Sequence, residues 1–327
     1  MTKYLKKSVS WSAFPSLLLM LIFILIYAVF TGGLTSSFFL SFLTTNAGAI
    51  CIAIGVTATI LVAGTDISLG SIVSLVNVVI VVLSGKGVSV PAAAGIGLLT
   101  AVVCGMINGF IVSVMRVNPL LTTYATSIAY GGIALWILPY PGGSVPLSFG
   151  KWYMGNVLGF IPTPLFLILI LILVWTVFVH MPSGIKLYAL GRNMKKAYAS
   201  GVEVTGIRFF VHTFAGLAAG IAGICITANI CAGSPTVGST MSMNSIAAAV
   251  IGGVSLNGGT GNIWGGIFGA AFLSILTSIV VAANLSSYVQ SFIQGLILLA
   301  GVVFSILASS NELKARAASL WKRGGTR

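Results

Sequence analysis

Hydrophobic runs, each about as long as a membrane-spanning helix, alternate with short polar stretches along almost the whole chain. A helix needs roughly 20 mostly apolar residues to cross the hydrocarbon core of a bilayer. The runs lie at 14–31, 38–63, 67–84, 90–115, 120–138, 163–180, 209–232, 242–256, 261–283 and 286–308. The pattern therefore predicts an all-α polytopic membrane protein of about ten transmembrane helices, in one domain that covers residues 1–327.

The eighth run, 242–256, is the shortest, and glycine-rich stretches flank it at 233–240 and 252–261. Non-helical backbone within a membrane is tolerated only where protein or a water-filled cavity covers it. We therefore expect a broken or partly re-entrant helix here. Earlier in the sequence, the loop 139–162 is expected to form an interfacial lid or a short surface helix.

Composition and charge agree with a membrane protein and give it an orientation. The chain is 57% hydrophobic and only 6% charged, whereas soluble domains carry about 25% charged residues. With the N-terminus placed in the cytoplasm, alternating spans put 14 of the 16 Lys and Arg residues inside and leave Lys86 and Lys151 outside. This positive-inside bias predicts an even number of spans and two cytoplasmic termini. Because the basic residues are clustered between apolar runs, the expected partner is a lipid bilayer and not a nucleic acid.

The sequence offers little for catalysis. It has no GxxxxGK[ST] phosphate loop, no HExxH and no GxSxG, and its only acids are Asp66, Glu203 and Glu312. We expect no catalytic residue, no metal site and no cofactor bound by this chain. Ion-driven carriers usually need ionisable groups within their spans, and only Asp66 comes close to one. The chain is thus expected to depend on a partner for energy.

Two polar features each allow two interpretations. Asp66 precedes the span 67–84, where it can cap the helix N-terminus or make a polar contact near a transport path. The central segment, residues 181–208, is the longest polar interruption in the chain. It can be a solvated connector or, through a short helix at 193–201 with Asn193 as a cap and Gly201 as a stop, a docking element for another protein.

Four stretches, in the same order along the chain, resemble motifs of the membrane permease subunits of bacterial ATP-binding-cassette (ABC) importers of the ribose type, within the branched-chain amino acid/ribose superfamily. The resemblance covers about residues 45–305. The stretches are Ala63–Ser71 (AGTDISLGS), Gly105–Gly109 (GMING) with Val117–Thr123 (VNPLLTT), Tyr188–Val202 (YALGRNMKKAYASGV) and Ile246–Gly261 (IAAAVIGGVSLNGGTG).

The resemblance implies a type II-like permease bundle in the bacterial cytoplasmic (inner) membrane and several protein partners. These are a second permease, in a homodimer or heterodimer, cytoplasmic ATP-binding subunits that carry ATP and Mg²⁺, and an extracytoplasmic sugar-binding protein. The implied activity is ATP-driven import of a monosaccharide or related polyol. One alternative is import of a nucleoside or an amino acid within the same superfamily. Another is a secondary sugar carrier, which fits less well with the lack of ionisable groups in the spans.

The resemblance also assigns residues to two roles. Contact with the ATPase falls to Gly191, Arg192, Asn193, Ala197, Ser200, Gly201 and Glu203. The candidate translocation path contains Asp66, Ser68, Asn108, Asn118, Asn244 and Ser245. The chain departs from the family pattern at two places: Met243-Asn244-Ser245 replaces an acidic Glu-Leu-Asp, and Arg192 replaces the second glycine of a Gly-Gly-Asn triplet. Either an unusual substrate or a heterodimer whose other half keeps the acids would account for these departures.

Overall fold

The computed structural model describes residues 13–284 and, beyond them, residues 286, 288, 289, 291–293, 295, 296 and 299. The tenth predicted span, 286–308, lies outside the described residues except for these isolated positions. The helices are α1 (Phe14–Thr31), α2 (Ser36–Leu61), α3 (Leu69–Gly85), α4 (Val90–Ser113), α5 (Pro119–Ile137), α6 (Leu147–Met154), α7 (Thr163–His180), α8 (Pro182–Arg192), α9 (Met194–Ala199), α10 (Val204–Ile230), α11 (Met241–Ile251) and α12 (Ile263–Ala282).

The helical architecture confirms the predicted polytopic fold. Seven of the described helices are long and apolar enough to cross a membrane, namely α1, α2, α4, α5, α7, α10 and α12. Two further apolar helices, α3 and α11, are shorter than the other seven. These nine helices account for the first nine predicted spans within the described residues, and the total of ten stays a prediction.

Helix α10 lies at the centre of the bundle, and α1 lies at its periphery. Of an 18-residue window in each helix, 72% of α10 is buried but only 6% of α1. α10 packs against α4 at a close approach of two glycines: a Cβ added to Gly105 would lie 2.9 Å from the Cα of Gly216. Both belong to small-xxx-small repeats, which allow helix backbones in membranes to approach closely. Exposed leucines on outer helices, such as Leu25, Leu99 and Leu173, provide the hydrophobic surface that lipid would cover.

The loop 139–162 folds into the expected short helix, α6, with small strands around it. The strands are β1 (Gly142–Ser144), β2 (Asn156–Val157), β3 (Ile161–Pro162) and β4 (Ala232–Gly233). β1 pairs antiparallel with β4, and β2 pairs antiparallel with β3. The fully buried Tyr153 of α6 donates a hydrogen bond from its hydroxyl to the Thr44 carbonyl, at 2.8 Å. Burial raises the pKa of this phenol, so the hydroxyl stays protonated and keeps α6 anchored on α2.

Candidate functional site

Between α10 and α11 the chain does not continue outward but turns back along α3. The backbone N–H of Ser234 donates to the Asn77 side chain at 2.7 Å, and the N–H of Gly238 donates to the Ser74 hydroxyl at 2.9 Å. Farther along, the Ser242 hydroxyl accepts from the N–H of Gly70 at 2.7 Å. Residues 77, 74 and 70 lie on one face of α3. Residues 234–242 therefore run antiparallel to α3 over about 10 Å, given its rise of ~1.5 Å per residue.

This return places the start of α11 inside the bundle, and the short helix agrees with the first of the two alternatives expected for 242–256, a broken helix. α11 has 11 residues and ends at Ile251, five residues before the predicted end. Two glycines at 252 and 253 follow, and Gly253 adopts a left-handed φ of 78° that disfavours continuation of the helix. Side chains of α3 bond the non-helical backbone, which meets the requirement that polar backbone in a membrane be satisfied by protein.

A cleft of about 200 Å³ opens between α2, α11 and α12, beside the start of α11. Among the described residues, its polar lining consists of amides and hydroxyls and includes no charged side chain. The lining residues are Asn46, Ala49, Met241, Asn244, Ser245, Ala248, Ala270, Leu273, Ser274 and Thr277. Such a lining can donate hydrogen bonds to and accept them from a neutral hydroxylated molecule, and its apolar members can contact the carbon faces of that molecule.

A second group of polar side chains forms a closed network around Asp66, which is fully buried. One oxygen of Asp66 accepts from the N–H and the hydroxyl of Ser68, at 2.9 and 2.6 Å. The other lies 3.2 Å from Nδ1 of the fully buried His212 on α10. An ionised carboxylate would only accept hydrogen bonds, so it would pair with the tautomer of His212 that has its proton on Nδ1.

The network continues from Ser68 to the neighbouring helices. Asn108 of α4 donates to the Ser68 hydroxyl at 2.7 Å and accepts from the Tyr130 hydroxyl of α5 at 3.2 Å. Four parts of the chain, namely α4, α5, α10 and the segment between α2 and α3, are thus held together by polar contacts. The Asp66 cap interpretation holds only in part: its side chain accepts the N–H two residues on, but α3 begins at Leu69 with Ser68 at the N-cap position.

The six residues predicted for a translocation path therefore separate into three places. Asn244 and Ser245 line the cleft, whereas Asp66, Ser68 and Asn108 are buried in the closed network. Asn118 belongs to neither group, because it caps the N-terminus of α5 by accepting from the N–H of Leu120 at 2.9 Å.

Sequence reasoning missed several polar residues that the structure places with these groups. His212 and Tyr130 belong to the network, Ser74 and Asn77 hold the returning chain, and Asn46, Ser274 and Thr277 line the cleft. One signal was present for α3: Ser74 and Asn77 are three residues apart in a largely apolar helix, and such positions share a face. The pairing of Asp66 with His212 joins residues 146 positions apart, and local sequence gave no sign of it.

The central segment is more helical than expected. Besides α9, which falls within the predicted 193–201, it contains α8, which was not predicted. Within α8 the buried residues are Gly184, Leu187, Leu190 and Gly191. Their spacing of three, six and seven residues is the amphipathic pattern that could have identified this helix. Burial raises the pKa of Tyr188 in α8 to about 12.

At the end of α8, Gly191 touches the last residue of α2 and the loop that precedes α12. A Cβ on Gly191 would collide with the Leu61 carbonyl oxygen and with the backbone of Gly259. The N–H of Gly259 in turn donates to the Leu61 carbonyl at 3.0 Å. Only a residue without a side chain lets these three backbones meet. We call this contact of Gly191, Leu61 and Gly259 the backbone junction.

Beyond the junction, the chain presents an exposed surface. Asn193 caps α9 by accepting from the N–H of Lys196 at 3.0 Å, and Gly201 follows α9 with a left-handed φ of 75°. Among the predicted contact residues, Ala197 is buried and holds α9 on the bundle, whereas the other members after Gly191 are exposed. Tyr198, at 68% exposure, and Met194 add hydrophobic area. Exposed aromatic and Met side chains beside Lys195, Lys196 and Arg192 suit contact with another protein.

Comparison with known proteins gives a consistent result. Residues 38–302 match the family described as branched-chain amino acid transport system/permease component. The chain is 32% identical over 218 residues to the ribose import permease protein of Bacillus subtilis (strain 168). The aligned region covers 65% of this chain and 67% of that protein.

Two further relatives carry other names. The chain is 34% identical over 243 residues to the D-allose transport system permease protein of Escherichia coli (strain K12), with 73% and 72% of the two chains covered. It is 32% identical over 222 residues to the autoinducer 2 import system permease protein of Photorhabdus temperata, with 65% and 66% covered. No solved structure matches the chain significantly.

Proposed function

The chain belongs to the family of branched-chain amino acid transport system permease components, and from this membership we propose that it imports a monosaccharide or related polyol as the membrane subunit of an ABC importer. The cleft beside α11 is the observation that supports this substrate class. Its polar lining residues, Asn46, Asn244, Ser245, Ser274 and Thr277, are neutral donors and acceptors. The three relatives are named for ribose, D-allose and autoinducer 2.

In the proposed assembly, two permeases form the membrane part, and cytoplasmic subunits bind ATP and Mg²⁺. An extracytoplasmic binding protein delivers the solute near α6 and residues 233–241. The end of the bundle that carries the central segment faces the cytoplasm of a bacterial cell, with both termini on that side. The basic residues support this orientation, because 14 of the 16 would then be cytoplasmic.

The exposed part of the central segment supplies the contact with the ATPase. Closure of the ATP-bound partner displaces α9, and the backbone junction transmits this displacement to the ends of α2 and α12. Among the described residues the cleft holds no ionisable group through which an ion gradient could act, and this supports an input of energy from a partner.

Reconstitution in vesicles tests this function. The chain is assembled with an ATPase subunit and a binding protein of this importer class, and uptake of radiolabelled D-ribose and D-allose is measured with and without ATP. We expect ATP-dependent uptake that a proton uncoupler leaves intact, and no ATP hydrolysis by the chain alone. Uptake that stops with the uncoupler while ATP remains would show a secondary carrier. Uptake of leucine or a nucleoside in place of both sugars would overturn the substrate class.

Gly201→Ala and Glu203→Gln test the central segment in the same vesicles. Gly201 needs a left-handed backbone, and an Ala there strains the turn after α9. Glu203 is exposed beside the first turn of α10. We expect fewer solute molecules moved per ATP in both variants, with the exposed Lys86→Gln on the opposite end as a control. Normal coupling in both would remove the ATPase contact from this segment.

A further inference from the structure

The Asp66–His212 pair has no part in the cleft and no part in the exposed surface of the central segment. Both side chains are completely buried, and they are the only pair of oppositely chargeable side chains within 4.0 Å among the described residues. Ionisable groups inside a membrane domain are costly, and they are retained mainly where they serve a function. The pair is therefore a candidate for a role that the proposed import cycle does not yet assign.

The pair holds the segment that joins α2 to α3, residues 62–68, which we call the linking segment. Its Asp66 bonds Ser68 within the segment and His212 on α10. Thr123 of α5 adds two bonds at 3.2 Å, accepting from the N–H of Ile67 and donating to the Thr65 carbonyl. The linking segment is thus fixed to α10 on one side and to α5 on the other.

The two ends of the linking segment touch the two functional regions. At its start, the Leu61 carbonyl belongs to the backbone junction and accepts from Gly259. Just past its end, the N–H of Gly70 donates to the Ser242 hydroxyl. Ser242 is in the first turn of α11, two residues before Asn244 in the cleft. A displacement that enters at the junction can therefore reach the cleft through the ten residues from Leu61 to Gly70, provided that this stretch moves as one body.

We propose that Asp66 and His212 are positioning residues that keep the linking segment rigid, so that displacement of the central segment is transferred to the start of α11. This inference rests on the proposed import function. Chains of packed backbone and hydrogen bonds with discrete arrangements can carry energetic coupling between distant sites. Without the pair, the linking segment yields locally, and the cleft no longer follows the ATPase.

An unbonded atom in the pair fits a second arrangement. Nε2 of His212 is buried and has no hydrogen-bond partner among the described residues. It lies next to Gly64 of the linking segment, 3.6 Å from where a Cβ would be. Buried polar atoms without a partner are rare in native structures. The missing hydrogen bond of this nitrogen is consistent with a second arrangement of the linking segment.

The first experiment measures solute moved per ATP hydrolysed in the reconstituted complex, with labelled D-ribose and D-allose as probes. The variants are Asp66→Asn, His212→Phe and His212→Asn. The Asn side chain at 212 keeps a donor near the position of Nδ1, whereas Phe keeps only the ring volume. We expect Asp66→Asn and His212→Phe to lower the ratio about tenfold, within the ~5–150-fold range of typical coupling between sites. His212→Asn is expected to keep the ratio close to that of the unaltered chain. The double variant Asp66→Asn/His212→Phe should lower the ratio no further than either substitution alone.

A structural role alone gives a different result: uptake and ATP hydrolysis then fall together, in proportion to the amount of assembled complex. That result, or an unchanged ratio in His212→Phe, overturns the proposal. A complex of the unaltered chain that moves neither sugar shows that these two probes are not its substrates, and the second experiment then decides the present inference.

The second experiment measures backbone hydrogen exchange of the full chain in lipid nanodiscs, which requires neither partners nor solute. In His212→Phe we expect faster exchange in the linking segment and, beyond it, at residues 238–242, while Asn244→Ala leaves both unchanged. Faster exchange confined to the surroundings of residue 212 would show that the pair does not connect the two regions, and the proposal would be wrong.

Discussion

The helix bundle contains two groups of polar side chains, the network around Asp66 and the lining of the cleft. The two groups differ in what their polar atoms face. Around Asp66 nearly every polar atom meets another from the protein: Ser68 bonds both Asp66 and Asn108, and Asn108 bonds Tyr130. In the cleft, by contrast, the side chains of Asn244 and Ser245 border a space of about 200 Å³. The first group is closed and contains the ionisable pair Asp66 and His212, whereas the polar lining of the second, among the described residues, consists of amides and hydroxyls.

The difference separates the work of the two groups. A satisfied buried network fixes its neighbours in one arrangement, because every displaced member leaves another without a partner. The open group presents amides and hydroxyls to a visiting molecule, although Asn46 and Thr277 also donate to backbone carbonyls of their own helices. We therefore expect damage to the network to appear as lost stability, and damage to the cleft to appear as weaker solute binding in an intact protein.

The largest effect is expected from Asp66→Ala. The substitution leaves His212 and Ser68 buried without their acceptor, and removal of one member of a buried pair typically costs ~3–5 kcal/mol. Thermal unfolding in detergent should show a markedly lower transition temperature. Asn244→Ala serves as the control, since it removes a polar side chain of similar size from the cleft. Equal unfolding temperatures for the two variants would break the distinction between a closed and an open group.

A smaller effect is expected from Asn77→Leu, which tests the returning chain that positions the cleft. Asn77 donates to Thr227 and to the Ala232 carbonyl and accepts from Ser234. Leu has the same number of side-chain heavy atoms and the same branching as Asn, but it is larger and leaves these groups unpaired, and an unpaired buried polar group costs about 1–3 kcal/mol. We expect reduced stability together with a changed cleft, read as faster hydrogen exchange at 234–242. Val78→Leu, on a neighbouring buried position of α3, is the control for added volume.

The fold was largely accessible from the sequence, whereas the grouping of polar residues was not. The length of each apolar run sets whether a helix can span, so the first nine runs correspond to α1–α5, α7 and α10–α12. The helix in 193–201 followed from local chemistry too, because Asn193 and Gly201 act within four residues of themselves. These features depend on neighbours in sequence.

The site depended on contacts between distant residues. Asp66 meets His212, and Gly70 meets Ser242, across 146 and 172 positions. A single sequence carries no record of such pairs, so Asn108 and Asn244 looked equivalent although one is bonded inside the bundle and the other borders the cleft. Helix α8 is a different case. Its amphipathic spacing was readable, but its polar composition led to the interpretation of a loop.

Asn244→Ala is expected to change transport and not stability. Loss of one hydrogen bond to a hydroxylated solute is worth about 0.5–1.5 kcal/mol, which corresponds to roughly a two- to twelvefold rise in the solute concentration for half-maximal uptake. The measurement is uptake of D-ribose and D-allose against concentration in reconstituted vesicles. Met243→Ala is the matched control, because Met243 is the neighbouring exposed residue and does not line the cleft. Unchanged uptake in Asn244→Ala would remove this residue from the solute contact.

The smallest effect is expected from Asn118→Ala, at a residue that the family resemblance grouped with the translocation path. Its side chain accepts the Leu120 N–H at the start of α5, and loss of such a cap costs about 1 kcal/mol. Asn118→Asp is the matched variant, because Asp caps a helix as well as Asn does and places a negative charge at the favourable end. We expect a slightly lower unfolding temperature in Asn118→Ala and an unchanged unfolding temperature in Asn118→Asp. The solute concentration for half-maximal uptake should be the same in both variants. A helix cap affects the stability of the helix that it begins. An altered uptake curve with normal stability would therefore place Asn118 in contact with the solute. The open group would then extend to the N-terminus of α5.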